Sequence, residues 1–379
     1  MFTDSYLPYV SGVVVSLHNA VKELERRGNT VVVCAPDYPS AVGSDTIIRF
    51  PSVASTYPGF RIALPFSIEA WHHINRRQVD LVHVHSPFLM GVAGAAFAWR
   101  HKLPLVFTHH TRYDQYVHYA PLFPRLIRRL TSSYVKWFCQ RCDLIIVPTE
   151  EIGGLLQAQG IERTIEVVPS GVETERFQSG DADWLRRTFA LPKSAIVLLY
   201  VGRLTKEKNL HMLLAAFTYA ASECEGFLVL VGSGPEKNAL QAAAAAAGIE
   251  ERVIFAGPRY GSELVNCYHG ADLFVFASTT ETQGLVLLEA MAAGLPVVAV
   301  NASGSREMIE DQKSGILTAN HPMALAAAMV KLIKNEGFRH QTGAQAAARS
   351  LLFSNQAAAS RLVDCYRVLL AGRRETPSK

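Results

Sequence analysis

Ten short apolar runs limit what this chain can fold into. They lie at residues 30–35, 80–85, 105–108, 143–147, 166–168, 196–201, 227–231, 253–255, 272–276 and 297–300. A strand without polar alternation has both faces covered, as in a parallel sheet between helical layers. Stretches with helical spacing separate most of the runs, for example 13–27, 210–224 and 284–293. The pattern predicts an α/β fold of two doubly wound domains. The length agrees, since 379 residues exceed the roughly 250–300 at which single cores stop growing. The expected division is 1–177 and 178–357, with a terminal helix at 358–379 completing the first domain.

Composition excludes several classes. Hydrophobic residues make up 49% and charged residues 18%, which rules out a disordered, collagen-like or coiled-coil chain. A net charge of +4 is too small for a general nucleic-acid binder. Six cysteines are too few for a disulfide scaffold and point to a reducing, cytoplasmic setting. No secretory signal is expected at Met1-Phe2-Thr3-Asp4. The longest uncharged apolar stretch, 88–99, is shorter than the roughly 20 residues of a membrane span.

The sharpest motif is Ser278-Thr279-Thr280-Glu281-Thr282-Gln283-Gly284, with Glu289 eight residues beyond Glu281. Glu281 falls in a loop at the carboxyl end of a strand, where open α/β sheets bind ligands, and Glu289 on the following helix. Two carboxylates placed so can accept hydrogen bonds from hydroxyls at two points of a polar ligand. Gly284 lets backbone N–H groups approach an anion at a helix start. Gly202-Arg203 and Lys208 lie between another strand and its helix, where the cations can meet a diphosphate or remain solvated. Gly232-Ser233-Gly234 reads as a weak phosphate signal or a tight connection.

In the first half, Gly12 opens a helix and can offer backbone donors or serve as a turn. His109 and His110 end a buried strand, where adjacent side chains point to opposite sides and form no metal pair. His83 and His85 share a strand face without a third ligand at suitable spacing, so no metal is expected. Cys139 and Cys142 have redox-motif spacing but end a predicted helix, the wrong place for that chemistry.

Charge is unevenly spread. Residues 95–142 carry +7, leaving −3 for the rest. Within 122–142 a helical wheel gathers Phe123, Leu126, Ile127, Leu130, Tyr134, Trp137 and Phe138 on one side. Arg125, Arg128, Arg129 and Lys136 gather opposite. Either the apolar side is core and the basic side solvated, or the helix rests on anionic lipid.

Together these residues resemble the retaining glycosyltransferases of family four, whose GT-B fold has two facing Rossmann-like domains and a C-terminal helix returning to the first. The resemblance spans essentially the whole chain. It rests on Glu281 and Glu289, on Gly202-Arg203 with Lys208-Asn209, on Val231-Gly232-Ser233-Gly234-Pro235 and on Val168-Pro169-Ser170-Gly171-Val172. Within the family the chain looks most like diacylglycerol glucosyltransferases, through Phe2-Thr3-Asp4-Ser5-Tyr6-Leu7-Pro8, His83-Val84-His85-Ser86-Pro87-Phe88 and His109-His110-Thr111-Arg112-Tyr113. Relatives begin with a fuller first strand than Met1-Phe2 supplies, and their Gly-Gly turn is Ser303-Gly304 here.

The resemblance implies that Glu289 holds the donor ribose, and Glu281 the sugar hydroxyls with backbone groups of Gln283, Gly284 and Leu285. Arg203 and Lys208, after Gly202, would bind the diphosphate, with Gly12 facing it. His110 matches the catalytic histidine, His109 being the reserve, and the uracil would sit near 258–260. It further implies UDP-glucose as donor, no metal or other cofactor, domain closure around the donor, a lipid acceptor and no nucleic acid. The protein would work on the inner face of the cell membrane, attached through Arg125, Arg128, Arg129 and Lys136. Rival readings keep the donor chemistry on phosphatidylinositol or a soluble glycan, or make the chain a sugar-nucleotide-binding protein without turnover.

Overall fold

The computed structural model describes residues 1–41, 44–55, 59–112 and 124–374, with the backbone alone at 124, 125, 373 and 374. Contacts divide it into two units, Met1–Gly171 with the segment from Asn355 onward, and Val172–Ser354. Val172 belongs to the second unit because its N–H bonds Phe353 O and it bridges Ser354.

The first unit contains β1 (Val33–Pro36), β2 (Ile47–Phe50), β3 (Ser52–Ala54), β4 (Arg61–Ala63), β5 (Val82–Val84), β6 (Leu105–Thr108), β7 (Leu144–Val147) and β8 (Ile165–Val167). β1 pairs with β2, and β5 to β8 pair in sequence order, all parallel. Phe2 bridges Cys34 and Val84, so the order across the sheet is β2, β1, Phe2, β5, β6, β7, β8. Alternate residues feed two cores. Cys34, Leu105, Phe107 and Ile145 join one, while Val33, Val106, Leu144 and Ile146 join the other against Val14, Leu17 and Leu24 of helix Gly12–Arg26. Helix Asn355–Arg374 belongs here: Leu362 enters the second of these cores, and Tyr366 reaches His83.

The second unit contains β9 (Ile196–Val201), β10 (Gly226–Val231), β11 (Val253–Gly257), β12 (Leu273–Phe276), β13 (Val297–Val300) and β14 (Gly315–Thr318). All pairs are parallel, in the order β11-β10-β9-β12-β13-β14. That is the Rossmann order, which reverses direction between β9 and β12 and opens a crevice at their carboxyl ends. The fold is therefore α/β with two Rossmann-like units.

Four strands escape the apolar-run pattern. β2, β3 and β4 have solvent-facing positions, and β14 begins with a glycine.

Helix Pro124–Cys139 corrects the simple two-sided wheel. Val135, Phe138 and Cys139 are buried, whereas Leu126, Leu130 and Trp137 are 55%, 60% and 42% exposed. At 100° per residue these three lie within about 40° of one another, nearly opposite the buried side. The apolar residues thus form two faces. Arg129 and Lys136 are exposed on one flank of the outer face, whereas Arg128, also exposed, projects nearly opposite it. Phe123 and the side chain of Arg125 lie outside the described residues.

Candidate active site

In the second unit, the two loops at the topological switch point meet. After β9 the chain makes a short 3-10 turn, Lys206–Lys208, and Asn209 adopts a left-handed conformation at φ 57°. Its amide donates to Ala277 O at 3.2 Å and to Asn320 Oδ1 at 2.9 Å, tying this loop to the end of β12. The tie brings Lys208 to Glu281: its ammonium donates to Glu281 Oε1, with side chains 14% and 20% exposed. The Ser278 hydroxyl donates to the same oxygen at 3.2 Å. Glu281 is thus held by a cation and a hydroxyl from the loops that follow β9 and β12.

Arg203 lies on the same loop and pairs at 3.2 Å with Glu207, whose side chain is buried. Burial works to raise the Glu207 carboxyl, but backbone hydrogen bonding and the charges of Arg203 and Lys208 hold it below the usual range. Glu207 carried no signal in the sequence, yet it orients one of the two cations.

Gly284 has φ 66° and precedes helix Leu285–Ala292, whose first turn has no side-chain cap. Its N–H groups therefore face the crevice without a competing internal acceptor from a capping side chain. Gln283 is buried beside it. Glu289, one turn from the end of this helix, accepts a 2.7 Å hydrogen bond from Tyr268 Oη. Burial raises the Glu289 carboxyl above its ordinary value, against the lowering effects of Tyr268 and Arg176. Tyr268 and Arg176 come from distant elements with no motif to announce them.

The glycines after β9 and β10 resolve the reading of Gly232. A Cβ there would stand 1.9 Å from Gly202 O, and φ is 141°. Gly202 N–H bonds Val231 O at 2.9 Å and Leu204 N–H bonds Ser233 O at 2.9 Å. Gly232 is thus a packing glycine that lets two adjacent loops run in contact.

In the first unit, Ser11 caps helix Gly12–Arg26 by accepting from Val14 N–H. A Cβ on Gly12 would meet nothing within 4 Å. The fold gives no packing reason for glycine there. His85 follows β5 and His110 lies two residues past β6. They hydrogen-bond, His85 Nδ1 to His110 Nε2, at 2.9 Å. Burial lowers the His110 imidazole to about 3, aided by His109, so it is neutral at physiological pH. His109 turns instead toward Phe107, as opposite-pointing neighbours should.

Among the described residues, no three His, Cys, Asp or Glu side chains are grouped to hold a metal. Cys139 and Cys142 are buried free thiols, and burial raises both.

Comparison with known proteins adds the family. Residues 10–176 match the profile described as Glycosyltransferase Family 4, and 182–349 that of Glycosyl transferases group 1. The alpha-monoglucosyldiacylglycerol synthase of Streptococcus pneumoniae is 32% identical over 84% of this chain and 74% of that protein. The chain belongs to glycosyltransferase family 4. It is thus a hexosyltransferase. The Acholeplasma laidlawii protein of the same description is 30% identical over 83% of each chain. A GDP-mannose-dependent alpha-mannosyltransferase of Mycobacterium tuberculosis is 31% identical over 83% of this family-4 chain and 82% of its own. Sucrose-phosphate synthase from Thermosynechococcus elongatus has a TM-score of 0.77 at 22% identity, covering 96% and 94% of the two chains. The fold of this family-4 enzyme is GT-B.

Proposed function

We propose that this family-4 enzyme transfers glucose from UDP-glucose to diacylglycerol with retention, giving an α-glucosyl lipid at the cytoplasmic face of a membrane. The observation that carries the lipid acceptor is the outer face of helix Pro124–Cys139. There Leu126, Leu130 and Trp137 are exposed, flanked by the exposed Arg129 and Lys136. A water-facing apolar stripe costs free energy unless something covers it, and flanking cations favour an anionic bilayer as the cover. The relatives described as alpha-monoglucosyldiacylglycerol synthases support the same acceptor and sugar. Among the described residues no helix is long and apolar enough to cross a membrane, so attachment would be peripheral.

At the donor, Glu281 accepts hydrogen bonds from sugar hydroxyls and Glu289 from the ribose. The leaving nucleoside diphosphate gains negative charge as the glycosidic bond breaks. Arg203, Lys208 and the N–H groups of helix Leu285–Ala292, with backbone of Gln283, Gly284 and Leu285, stabilise that charge. Gly12 offers its N–H to the diphosphate at an uncrowded helix start, and Gly202 leads Arg203 into place. These cations are assigned the charge compensation, and no metal is assigned a role. His110, as a neutral imidazole, contacts a hydroxyl of the transferred sugar. A donor phosphate oxygen receives the acceptor proton.

A second reading keeps this site with GDP-mannose or an inositol-containing acceptor, favoured by relatives so described. Purified protein with labelled UDP-glucose and diacylglycerol vesicles should yield an α-glucosyl lipid. Mannolipid from GDP-mannose with none from UDP-glucose would replace the first reading by the second. No glycolipid from any sugar nucleotide would overturn both.

A further inference from the structure

Helix Leu89–Arg100 lies beside helix Pro124–Cys139 and, like it, has one buried and one exposed apolar side. Its Met90, Ala95, Phe97 and Ala98 are buried in the same core as Val135, Phe138 and Cys139, against Val84, Phe107 and Ile145 of the sheet. The two helices therefore cover one face of the sheet, and their outer sides face the same way. On the outer side of helix Leu89–Arg100, Leu89, Val92 and Trp99 are 46%, 38% and 44% exposed. At 100° per residue these three lie within about 80° of one another, centred nearly opposite the four buried residues. A helix apolar on both sides gives no amphipathic signal, so in the sequence this stretch reads only as an apolar run.

A row of rings joins the two outer sides. Phe88, 42% exposed at the start of helix Leu89–Arg100, stacks on Tyr134 with centroids 6.3 Å apart. Tyr134 stacks in turn on Trp137 at 5.8 Å. The Tyr134 hydroxyl donates to Pro87 O at 2.6 Å, which fixes the row in place. The stripe of Leu126, Leu130 and Trp137 thus runs through Tyr134 and Phe88 into Leu89, Val92 and Trp99 as one apolar surface. A contiguous exposed surface of this kind marks a site of contact.

Its charge identifies what covers it. Arg100 projects within about 20° of Leu89, and Lys102 follows the helix. Both are exposed, as are Arg129 and Lys136. Neither helix carries a carboxylate, and residues 81–142 contain one acid, Asp114. A second copy of the chain seated face to face on this surface would set these cations against their own images, with no helix carboxylate to compensate. An anionic bilayer suits both features. Its interface takes up apolar side chains and tryptophan rings, and its headgroups meet the cations.

We infer that helix Leu89–Arg100 lies on anionic lipid beside helix Pro124–Cys139, with Leu89, Val92 and Trp99 in the bilayer interface. The kind of partner rests on the lipid reading of helix Pro124–Cys139, whereas the contact made by Trp99 is separate from it.

One tryptophan on each helix makes the two contacts separable. Trp137→Phe leaves Trp99 as the reporter and Trp99→Phe leaves Trp137. The double variant gives the background from Trp71 and Trp184, the other two of the four tryptophans. Each protein is mixed with phosphatidylglycerol vesicles, with and without bromine on the acyl chains, since bromine there quenches rings that enter the bilayer. Trp99 and Trp137 should both be quenched beyond the background. Leu89→Ser combined with Val92→Ser should weaken vesicle binding by about tenfold or more. Quenching of Trp137 with Trp99 at background overturns the inference and leaves the lipid reading of helix Pro124–Cys139 standing. Quenching of Trp99 with Trp137 at background does the reverse. Neither ring quenched, with or without sedimentation on vesicles, overturns both. Full vesicle affinity in the Leu89→Ser, Val92→Ser variant also overturns the inference, and if that variant fails to fold the quenching of Trp99 decides. Self-association in sedimentation velocity that Leu89→Ser abolishes, with Trp99 unquenched by vesicles, would assign the surface to a second copy instead.

Discussion

Lys208 and Glu281, 73 residues apart in the chain, form an ion pair at the point where the second sheet reverses its strand order. The pair joins a residue assigned to the leaving diphosphate to one assigned to the transferred sugar, so the two sites are coupled through one contact. Glu281→Ala removes charge-assisted hydrogen bonds of about 1.5–3 kcal/mol each. Loss of two such bonds lowers kcat/KM by roughly 10²–10⁴-fold. Lys208→Met should lower it by about 10²-fold, partly by leaving the carboxylate uncompensated. In steady-state kinetics the double variant should lose less than the product of the single losses, because both remove the same pair. Strict multiplicativity would show that the pair plays no part in turnover.

Glu289 gives the site a pH dependence with a definite sign. Burial raises its carboxyl in the folded protein above the unfolded value of 4.5. Its proton is therefore bound more tightly by the folded state. That contribution to stability is fully present below the unfolded pKa and lost as pH rises through the raised one. Nucleotide binding needs the carboxylate and runs the opposite way. UDP affinity should fall as pH drops through a midpoint above 4.5, measured by calorimetric titration. Glu289→Gln should weaken UDP binding at least roughly tenfold. It should also raise Tm at neutral pH by about 2 °C, the shift that under 1 kcal/mol gives a domain of this size. A variant destabilised at neutral pH would contradict the assignment of burial as the dominant effect.

Two glycines with similar sequence settings should respond oppositely to alanine. Gly232→Ala places a methyl 1.9 Å from Gly202 O at a φ that L-residues rarely adopt. The loops after β9 and β10 cannot both stay in place, and a loss of about 3 kcal/mol or more is expected in urea unfolding. Gly12→Ala meets open space, so its stability should stay within about 0.5 kcal/mol of the unaltered protein. Its effect should appear in the KM for the donor, if the Gly12 N–H approaches the diphosphate closely. A Gly12→Ala enzyme with an unchanged donor KM would remove Gly12 from the site.

These contrasts show what could be read from the chain alone. β6, β9 and β13 were legible at the residue level because central strands covered on both faces are apolar along their length, Thr108 at the end of β6 apart. β3 and β4 were not, since their pattern is that of an exposed hairpin. Glu281 and Glu289 announced themselves by spacing across one loop and helix. Tyr268 did not, because its partner Glu289 is distant in sequence, and Glu207 did not, because only the folded chain buries it beside Arg203. The same limit applies to helix Pro124–Cys139. A hydrophobic wheel sums apolar residues without knowing where the core lies, and here it merged a buried face with an exposed one.

The exposed face makes the last prediction separable into two terms. Burying Leu126, Leu130 or Trp137 in the bilayer interface contributes up to about 1.5–3 kcal/mol per side chain. Each cation near an anionic surface contributes about 1 kcal/mol. Replacing Leu126, Leu130 and Trp137 by Ser should therefore weaken sedimentation with phosphatidylglycerol vesicles more than replacing Arg129 and Lys136 by Gln. The two sets should differ in salt response. Binding by the apolar variant should still fall between 50 and 300 mM salt, because its charges remain and are screened. Binding by the charge variant should be weaker but less sensitive to salt. The charge variant should keep the Tm of the unaltered protein, and the apolar variant should lose only the contacts of Trp137 with Tyr134 and Arg141. Equal vesicle binding by all three proteins would remove this helix as the membrane contact. Turnover on a short-chain soluble diacylglycerol should survive both sets, placing the defect at the surface and not at the donor site.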